Sequence, residues 1–170
     1  MPLQDQRYIG PLYRALNPVY ARTPLSGRGA RDHGGRFNAR GTAALYTSID
    51  KTTTLREANQ VGSLQPTMVV SYHADLGPVF DTRDSRALER ENIAPQTLAD
   101  PAWRTKMLDR QPVPTQEFAK ELIRQGFVGL LVRSFAVGAT EDDLNLVLWR
   151  WSGRGAHLDV VDDENRLNRM

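Results

Sequence analysis

The chain has 170 residues, of which 40% are hydrophobic and 25% charged, and its net charge is +2. This length suits one domain with a single sizeable core, so we expect one globular domain over residues 1–170. The sequence argues against a membrane span, because no apolar run is long enough. It also argues against disulfides and a structural zinc site, because cysteine is absent. Acidic stretches interrupt the arginines, so the continuous basic surface of a nucleic-acid-binding protein is not expected.

The first half of the chain is predicted to be mostly sheet, with one long loop. Residues 12–16 alternate apolar and polar positions and stop at Asn17-Pro18, which predicts a short strand. Residues 24–41 are glycine-rich and polar, which is typical of a ligand-binding loop. Residues 43–47 predict a second strand.

The first predicted helix follows this second strand. Ser48 or Asp50 can cap it, and it runs over residues 51–61 before Gly62. Glu57 then lies in the middle of the helix, on the side away from Leu55. We therefore do not expect Glu57 to lie in the core.

The rest of the chain places helices between strands. A proline at the first helical position and a following glycine delimit the clearest helix, from Pro114 to Gly126, with an apolar side formed by Phe118, Leu122 and Ile123. The other predicted elements are helices over 84–91 and 102–109 and strands over 67–73, 78–81, 128–133, 145–151 and 157–161. This order predicts an α+β fold without regular βαβ alternation.

Three residues within a short stretch suit one kind of ligand. Arg36 lies in the glycine-rich loop, Tyr46 on the next strand and Glu57 on the helix. An arginine fork matches phosphate oxygens, a tyrosine ring stacks on a heterocycle, and a carboxylate can face a developing cation. Nicotinamide adenine dinucleotide (NAD) has a diphosphate, a flat ring and a positive centre, although Gly34-Gly35 does not form the Rossmann fingerprint.

Six short motifs, taken in their order along the chain, resemble those of the RES-domain toxins of bacterial toxin and antitoxin pairs. The family is named for an arginine, a glutamate and a serine. The resemblance spans Arg14 to Leu148, within a motif-bearing core of about 12–161 that precedes a polar tail. It rests on Tyr13-Arg14, Gly34-Gly35-Arg36-Phe37-Asn38, Tyr46-Thr47-Ser48, Arg56-Glu57, Arg133-Ser134 and Asn145-Leu146-Val147-Leu148. It implies a fold similar to ADP-ribosyltransferases, with packed sheets around an NAD cleft.

The resemblance also implies a reaction and partners. NAD is expected to be a substrate rather than a reusable cofactor, cleaved at the nicotinamide-ribose bond with water or phosphate as acceptor. The implied partner is an Xre-type antitoxin that blocks the cleft. One alternative is transfer of ADP-ribose to a specific bacterial protein, and a more remote one is a non-enzymatic module that binds nucleic acid or a phosphorylated ligand. The N-terminal residues lack the features of a secretory signal, so we expect a cytoplasmic location.

The family pattern assigns roles to individual residues. Glu57 and Arg36 are implied to be catalytic, and Arg14, Arg36, Tyr46 and Ser134 to bind NAD. Tyr13, Asn38 and His33 are further candidates, and no metal ligand is expected. The pattern departs at Ala15, where some relatives have a tyrosine, so Tyr13 or Tyr20 would supply that ring.

Each candidate also has an ordinary structural explanation. Arg14 could pair with a core carboxylate such as Asp81, and Tyr46 could be a core tyrosine with a satisfied hydroxyl. Ser134 could bond its own backbone at the strand end. Glu57 could be a solvated carboxylate beside an arginine, whereas Arg36 and His33 could be exposed loop residues.

Overall fold

A seven-stranded sheet forms the centre of the structure, a computed structural model that describes residues 3–60 and 65–169. The strands are β1 (Tyr8–Leu16), β2 (Leu45–Ser48), β3 (Met68–Leu76), β4 (Val79–Asp81), β5 (Gly129–Arg133), β6 (Leu144–Leu148) and β7 (Ala156–Val160). Their order across the sheet is β4-β5-β6-β2-β1-β3-β7, and every pair is antiparallel except β4 with β5.

Among the described residues, six α-helices connect or cover these strands, and two 3-10 helices lie at Pro18–Tyr20 and Leu167–Arg169. The α-helices are α1 (Arg28–His33), α2 (Lys51–Ala58), α3 (Ser85–Arg90), α4 (Pro95–Leu98), α5 (Trp103–Leu108) and α6 (Pro114–Arg124). Within the described part of the chain, none of them has the length and apolar character needed to span a bilayer. Helices and an antiparallel-rich sheet together confirm the predicted α+β class.

The longest strand pair is β1 with β3, in register from Tyr8 opposite Leu76 to Leu16 opposite Met68. Side chains on β3 are buried at every second position from Val70 to Leu76, as the two-residue period of a strand requires. This buried face forms part of one core, which also includes residues of β5, β6 and β7.

The sheet is curled, and its two halves face each other across this core. Strand β3 lies near one edge of the strand order and β4 forms the other edge, yet only Gly77 and Pro78 separate them in the chain. A connection of two residues spans at most about 10 Å. The two ends of the strand order therefore lie close together, and the Val79 amide of β4 donates to the Gln6 carbonyl, just before β1, at 2.7 Å. The packed sheets expected from the family resemblance are the two halves of this single sheet.

A second core lies between β5, β6 and the helices. Leu131 on β5 faces the first core, whereas Leu130 and Val132 face the second. Coverage of both faces explains the uninterrupted apolar run in the sequence of this strand. Helix α6 covers the outer face with Phe118 and Leu122, and the Phe118 ring packs edge-on against Phe80 with ring centroids 5.5 Å apart.

Several boundaries differ from the predictions. The glycine-rich loop contains the short helix α1, and α4 begins at Pro95, a preferred first helical residue that the sequence analysis did not use. Helix α2 ends at Ala58 rather than Val61, and both Val61 and Gly62 lie outside the described residues. Its cap is Asp50, whose carboxylate accepts from the Thr53 amide at 2.8 Å.

We expect Leu146→Ala to lower the free energy of unfolding by about 2–5 kcal/mol, because the side chain is fully buried in the first core and its loss leaves a cavity. Urea unfolding followed by circular dichroism measures the change. Ile9→Ala on β1 is the matched control: Ile9 is 69% exposed, so its loss should change the unfolding free energy by less than about 0.5 kcal/mol. Equal losses for the two variants would contradict this assignment of the core.

Candidate functional site

Two neighbouring cavities share three lining residues. The Arg14 cavity, about 440 Å³, is lined by Arg14 and Tyr13, and the Arg36 cavity, about 630 Å³, by Arg36 and the Gly34-Gly35 turn. Each volume lies in the range of small-ligand pockets. The lining residues common to both cavities are Tyr46, Glu57 and Asn145. The structure thus brings four predicted residues, Arg14 and the later Arg36, Tyr46 and Glu57, to adjoining cavities.

The Glu57 carboxylate is oriented by three donors. Its Oε1 accepts from the Ser134 hydroxyl and from Asn145 Nδ2, each at 2.5 Å. Its Oε2 accepts from Gln60 Nε2, one turn later in the chain. Two donors, one just after β5 and one on β6, therefore fix Oε1, whereas within residues 3–60 and 65–169 the exposed Gln60 is the one donor to Oε2.

Helix α2, which carries Glu57, is attached to the β5–β6 connection by Asp143. This carboxylate accepts from the Thr53 hydroxyl at 2.6 Å, from the Thr140 amide at 2.7 Å and from the Arg56 guanidinium. The hydrogen bonds from Thr140 and Thr53, with the charge of Arg56, hold the pKa of Asp143 well below its usual range. The attachment positions Glu57 one turn after Thr53, beside the ends of β5 and β6.

Arg36 is held between backbone carbonyls and aromatic rings. Its Nη1 donates to the carbonyls of Leu98 at 3.1 Å and Asp100 at 2.8 Å. The guanidinium carbon lies 4.7 Å from the centroid of the Phe135 ring and 5.8 Å from that of Trp103. Both distances are within the range of cation–π attraction.

This environment leaves the Arg36 charge incompletely neutralised. Burial lowers the pKa of Arg36, while the charges of Asp100 and Glu57 oppose that shift, and an arginine remains protonated in proteins. Within residues 3–60 and 65–169, no carboxylate forms a salt bridge with it. A half-buried cation of this kind attracts an anionic ligand.

The turn before Arg36 is rigid because Tyr46 packs against it. The Tyr46 hydroxyl donates to Asn38 Oδ1 at 2.7 Å and accepts from the Phe37 amide at 3.0 Å, and burial raises the Tyr46 pKa well above its usual value. A Cβ added at Gly35 would lie 2.4 Å from this hydroxyl. The glycine is thus required by the packing of Tyr46, and only the Tyr46 ring remains to contact a ligand.

Side chains from α6 and from the residue after β6 fix the same turn. Gln116 donates to the Gly35 carbonyl at 2.8 Å, and the Thr115 hydroxyl donates to the Arg36 carbonyl at 2.5 Å. The Trp149 indole donates to the Phe37 carbonyl at 2.8 Å. Three side-chain hydrogen bonds therefore fix the backbone of the glycine-rich loop where it carries Arg36.

Two of the further candidates do not line either cavity. Asn38 is 1% exposed, and its amide donates to the carbonyls of Ala30 and Thr42 at 2.8 and 2.9 Å. Its polar atoms hydrogen-bond to the loop backbone and to Tyr46, so these bonds give no support to Asn38 as an NAD contact, which stays a prediction. His33 is exposed at the end of α1, which matches its ordinary structural explanation.

Arg14 is partly committed to the protein itself. Its Nη1 donates to the carbonyls of Pro24 and Ser26 at 3.3 and 3.2 Å. The alternative pairing with Asp81 is wrong, because Asp81 forms an ion pair with Arg83 at 2.6 Å. Tyr13, its neighbour on β1, lines the same cavity.

The Ser134 hydroxyl bonds both to the nearby backbone and to the Glu57 carboxylate of the site. Its hydroxyl oxygen accepts from the Ala136 amide at 3.2 Å, as expected for a serine at a strand end, and its proton is donated to Glu57. Ser134 is 7% exposed and lines neither of the two cavities, so it acts on the site through the carboxylate.

Three residues of the candidate site were not predicted from the sequence. Asn145 was quoted within a motif without a role, although a polar residue inside the apolar run of β6 is a usable signal. The rings of Phe135 and Trp103 contact the Arg36 guanidinium, although these residues lie 99 and 67 residues after Arg36 in the sequence. No local pattern in a single sequence indicates such long-range contacts.

Comparison with known families decides the assignment. A sequence model of the RES domain family matches residues 11–169, nearly the whole chain. The chain belongs to the RES family. RES domains are similar in fold to ADP-ribosyltransferases, use NAD, and are generally toxins paired with an antitoxin. Among curated proteins, no relative matches this RES domain.

The stability of this RES domain should depend on the charge of Asp143. Because the folded-state pKa of Asp143 is depressed, its contribution is fully present above its unfolded pKa of about 3.9 and is lost as the pH falls below that value. We expect Asp143→Asn to be less stable than the wild type at neutral pH, with the difference shrinking in acid. Thermal unfolding across a pH series measures it.

Asp163→Asn, in the exposed C-terminal segment, is the control and should show no such pH-dependent difference. A difference between wild type and Asp143→Asn that stays constant from neutral to acid pH would contradict the assigned role of this carboxylate.

Proposed function

We propose that this RES domain consumes NAD⁺ by cleaving the nicotinamide-ribose bond and transferring ADP-ribose to phosphate or water, and that this activity makes it a growth-inhibiting toxin. The observation that carries the proposal is the position of the Glu57 carboxylate where two arginine-containing cavities adjoin. A carboxylate beside cationic groups suits a ligand that is anionic at its diphosphate and becomes cationic at one ribose.

The chemistry needs little from the protein beyond placement and charge. The bond between the ribose C1 atom and the nicotinamide ring nitrogen breaks, and its electron pair returns to the nitrogen, which becomes neutral. An oxygen of phosphate or water then bonds to the same carbon; when water attacks, its extra proton passes to solvent. Because nicotinamide leaves as a neutral molecule, no strong general acid is required.

Glu57 would stabilise the oxocarbenium-like ribose between these two events. Its Oε1 is occupied by Ser134 and Asn145, so Oε2 is the oxygen available to the sugar once Gln60 is displaced. A carboxylate fixed before the reaction stabilises developing positive charge without having to reorganise.

The remaining groups would bind the rest of the substrate. Arg36 has an incompletely neutralised charge beside the Gly34-Gly35 turn and would contact the diphosphate. The Tyr46 ring lies between the cavities with its hydroxyl already bonded, so it offers only a stacking surface to nicotinamide. Arg14 and Tyr13 would contact the part of NAD that enters the Arg14 cavity.

The proposal extends to partners and setting. A cognate antitoxin of the Xre type would neutralise the toxin by covering the two cavities. NAD⁺ is consumed as a substrate, without a metal or a reusable cofactor, and the cytoplasm is the expected location.

Glu57→Gln should lower the rate of nicotinamide release by about 100-fold or more, because the side chain keeps its size and loses its charge. Purified protein is incubated with NAD⁺, with and without phosphate, and free nicotinamide is measured by chromatography. The same substitution should abolish growth inhibition on expression. Glu89→Gln on the exposed surface of α3 is the control and should match the wild type.

Failure of the wild type to release nicotinamide, even when cell extract supplies acceptors, would refute the proposal. A second arm supplies extract with tagged NAD⁺. Labelled protein bands, with slow NAD⁺ loss when extract is omitted, would instead support transfer of ADP-ribose to a protein target.

Arg36→Lys should raise the KM for NAD⁺ by about 10-fold or more, the effect of losing one charge-assisted hydrogen bond of about 1.5–3 kcal/mol. A lysine ammonium keeps the charge but cannot both reach the two carbonyls and present a planar fork to phosphate. Steady-state kinetics measures KM, with Arg86→Lys on exposed α3 as the control. An unchanged KM would remove Arg36 from substrate binding.

A further inference from the structure

Asn145 has an unusual position on β6. The other residues of this strand, Leu144, Leu146, Val147 and Leu148, are apolar and buried. Asn145 is fixed on both sides by strand pairing, opposite Ser48 on β2 and opposite Val132 on β5. Packing does not require an amide at this position, and its side chain is half-buried where the Arg14 and Arg36 cavities meet.

Both ends of the Asn145 amide have defined partners. Its Nδ2 donates to Glu57 Oε1 at 2.5 Å, and its Oδ1 accepts from the Ser48 hydroxyl at 2.7 Å. A carboxylate only accepts hydrogen bonds, so the amide must present its NH₂ group to Glu57. The amide oxygen then faces Ser48 on the neighbouring strand, which is 4% exposed and donates a hydrogen bond to it.

We propose that Asn145 is a positioning residue for Glu57 and that Ser48 fixes the orientation of the Asn145 amide. The inference rests on the proposed function, in which Glu57 stabilises the developing ribose cation. Ser48 also lines the Arg14 cavity, but its hydroxyl donates to Asn145, so in this proposal Ser48 acts through Asn145 and Asn145 acts through Oε1 of Glu57. The chain Ser48–Asn145–Glu57 thus connects two neighbouring strands to the carboxylate on α2.

This chain determines which carboxylate oxygen meets the substrate. Asn145 and Ser134 both donate to Oε1, so the plane of the carboxylate is set from the sheet. Without Asn145 the carboxylate can rotate, and a displacement of about 1 Å in a reacting group can cost about 100-fold in rate. Substrate affinity depends chiefly on the arginines and Tyr46, so the effect should appear in kcat more than in KM.

The first experiment compares Asn145→Ala, Ser48→Ala and the double variant in the nicotinamide-release assay. We expect kcat to fall about 100-fold for Asn145→Ala and less, roughly 10-fold, for Ser48→Ala, with KM nearly unchanged. The double variant should be no slower than Asn145→Ala alone, because Ser48 has no separate effect. Additive losses, or a rise in KM without a fall in kcat, would overturn the proposal.

A matched control separates positioning from general destabilisation. Thr82→Val also removes a buried hydroxyl, which donates to the Leu131 carbonyl of the same sheet at 2.9 Å, and Thr82 lines neither cavity. It should lower the unfolding temperature about as much as Ser48→Ala while kcat stays at the wild-type value. An equal fall in kcat for Thr82→Val would show that lost stability explains the effect.

Asn145→Asp provides a rescue test. A protonated aspartic acid can donate to Glu57 Oε1 as the amide does, whereas an ionised one repels the carboxylate. The variant should therefore work best in acid and lose kcat/KM relative to the wild type as the pH rises. The charged groups lining the two cavities beside position 145 are Glu57, Arg14, Arg36, Arg104 and Arg133. A ratio of variant to wild-type activity that is independent of pH would contradict the donor role.

Crystal structures of Asn145→Ala and Ser48→Ala give a readout that does not depend on activity. The Glu57 carboxylate should be rotated in the first, and the Asn145 amide reversed or displaced in the second. If the wild type releases no nicotinamide, the proposed function fails, yet these structures still test the positioning. A Glu57 carboxylate unchanged in both variants would overturn the inference whatever the activity.

Discussion

The hydrogen bonds and ion pair of Asp143 are the constraint on which the site depends. This carboxylate connects Thr53 and Arg56 of α2 to the backbone of the β5–β6 connection. Helix α2 has only eight residues and is too short to be stable alone, so its orientation is imposed by such contacts. With the helix held in this way, Glu57, one turn after Thr53, lies beside the ends of β5 and β6. There it accepts hydrogen bonds from Ser134 and Asn145.

The two arginines named by the family pattern have different environments. One guanidinium nitrogen of Arg14 donates to the carbonyls of Pro24 and Ser26, so Arg14 also fixes the backbone of these two residues. Arg36 is fixed by carbonyls on one nitrogen and by aromatic rings on its faces. A guanidinium immobilised before the ligand arrives loses little conformational entropy on binding, so Arg36 is the better preorganised of the two.

Much of the fold was predictable because its signals are local. The alternation in residues 12–16 and the proline and glycine around α6 depend only on neighbouring residues, and the structure confirms both elements. Glu57 and Arg36 were predicted as site residues because family motifs mark them, and both line the Arg36 cavity.

The partners of these residues could not be predicted in the same way. The Phe135 ring over Arg36 and the Ser48 hydroxyl on Asn145 depend on strand order and on how the sheet curls. Gly35 lies in a glycine-rich segment that was predicted to bind a ligand, whereas in the structure the Tyr46 hydroxyl occupies the space where a Cβ of residue 35 would lie. A glycine can thus report internal packing as readily as ligand contact.

The short passage from β3 to β4 closes the first core at one end. Only Gly77 and Pro78 join two strands that lie far apart in the strand order, and the Val79 amide of β4 donates to the Gln6 carbonyl, just before β1, at 2.7 Å. Leu76 on β3 and Val79 on β4 are both buried in this core. The backbone itself therefore seals the core where the curled sheet meets, without a separate helix or loop to cover it.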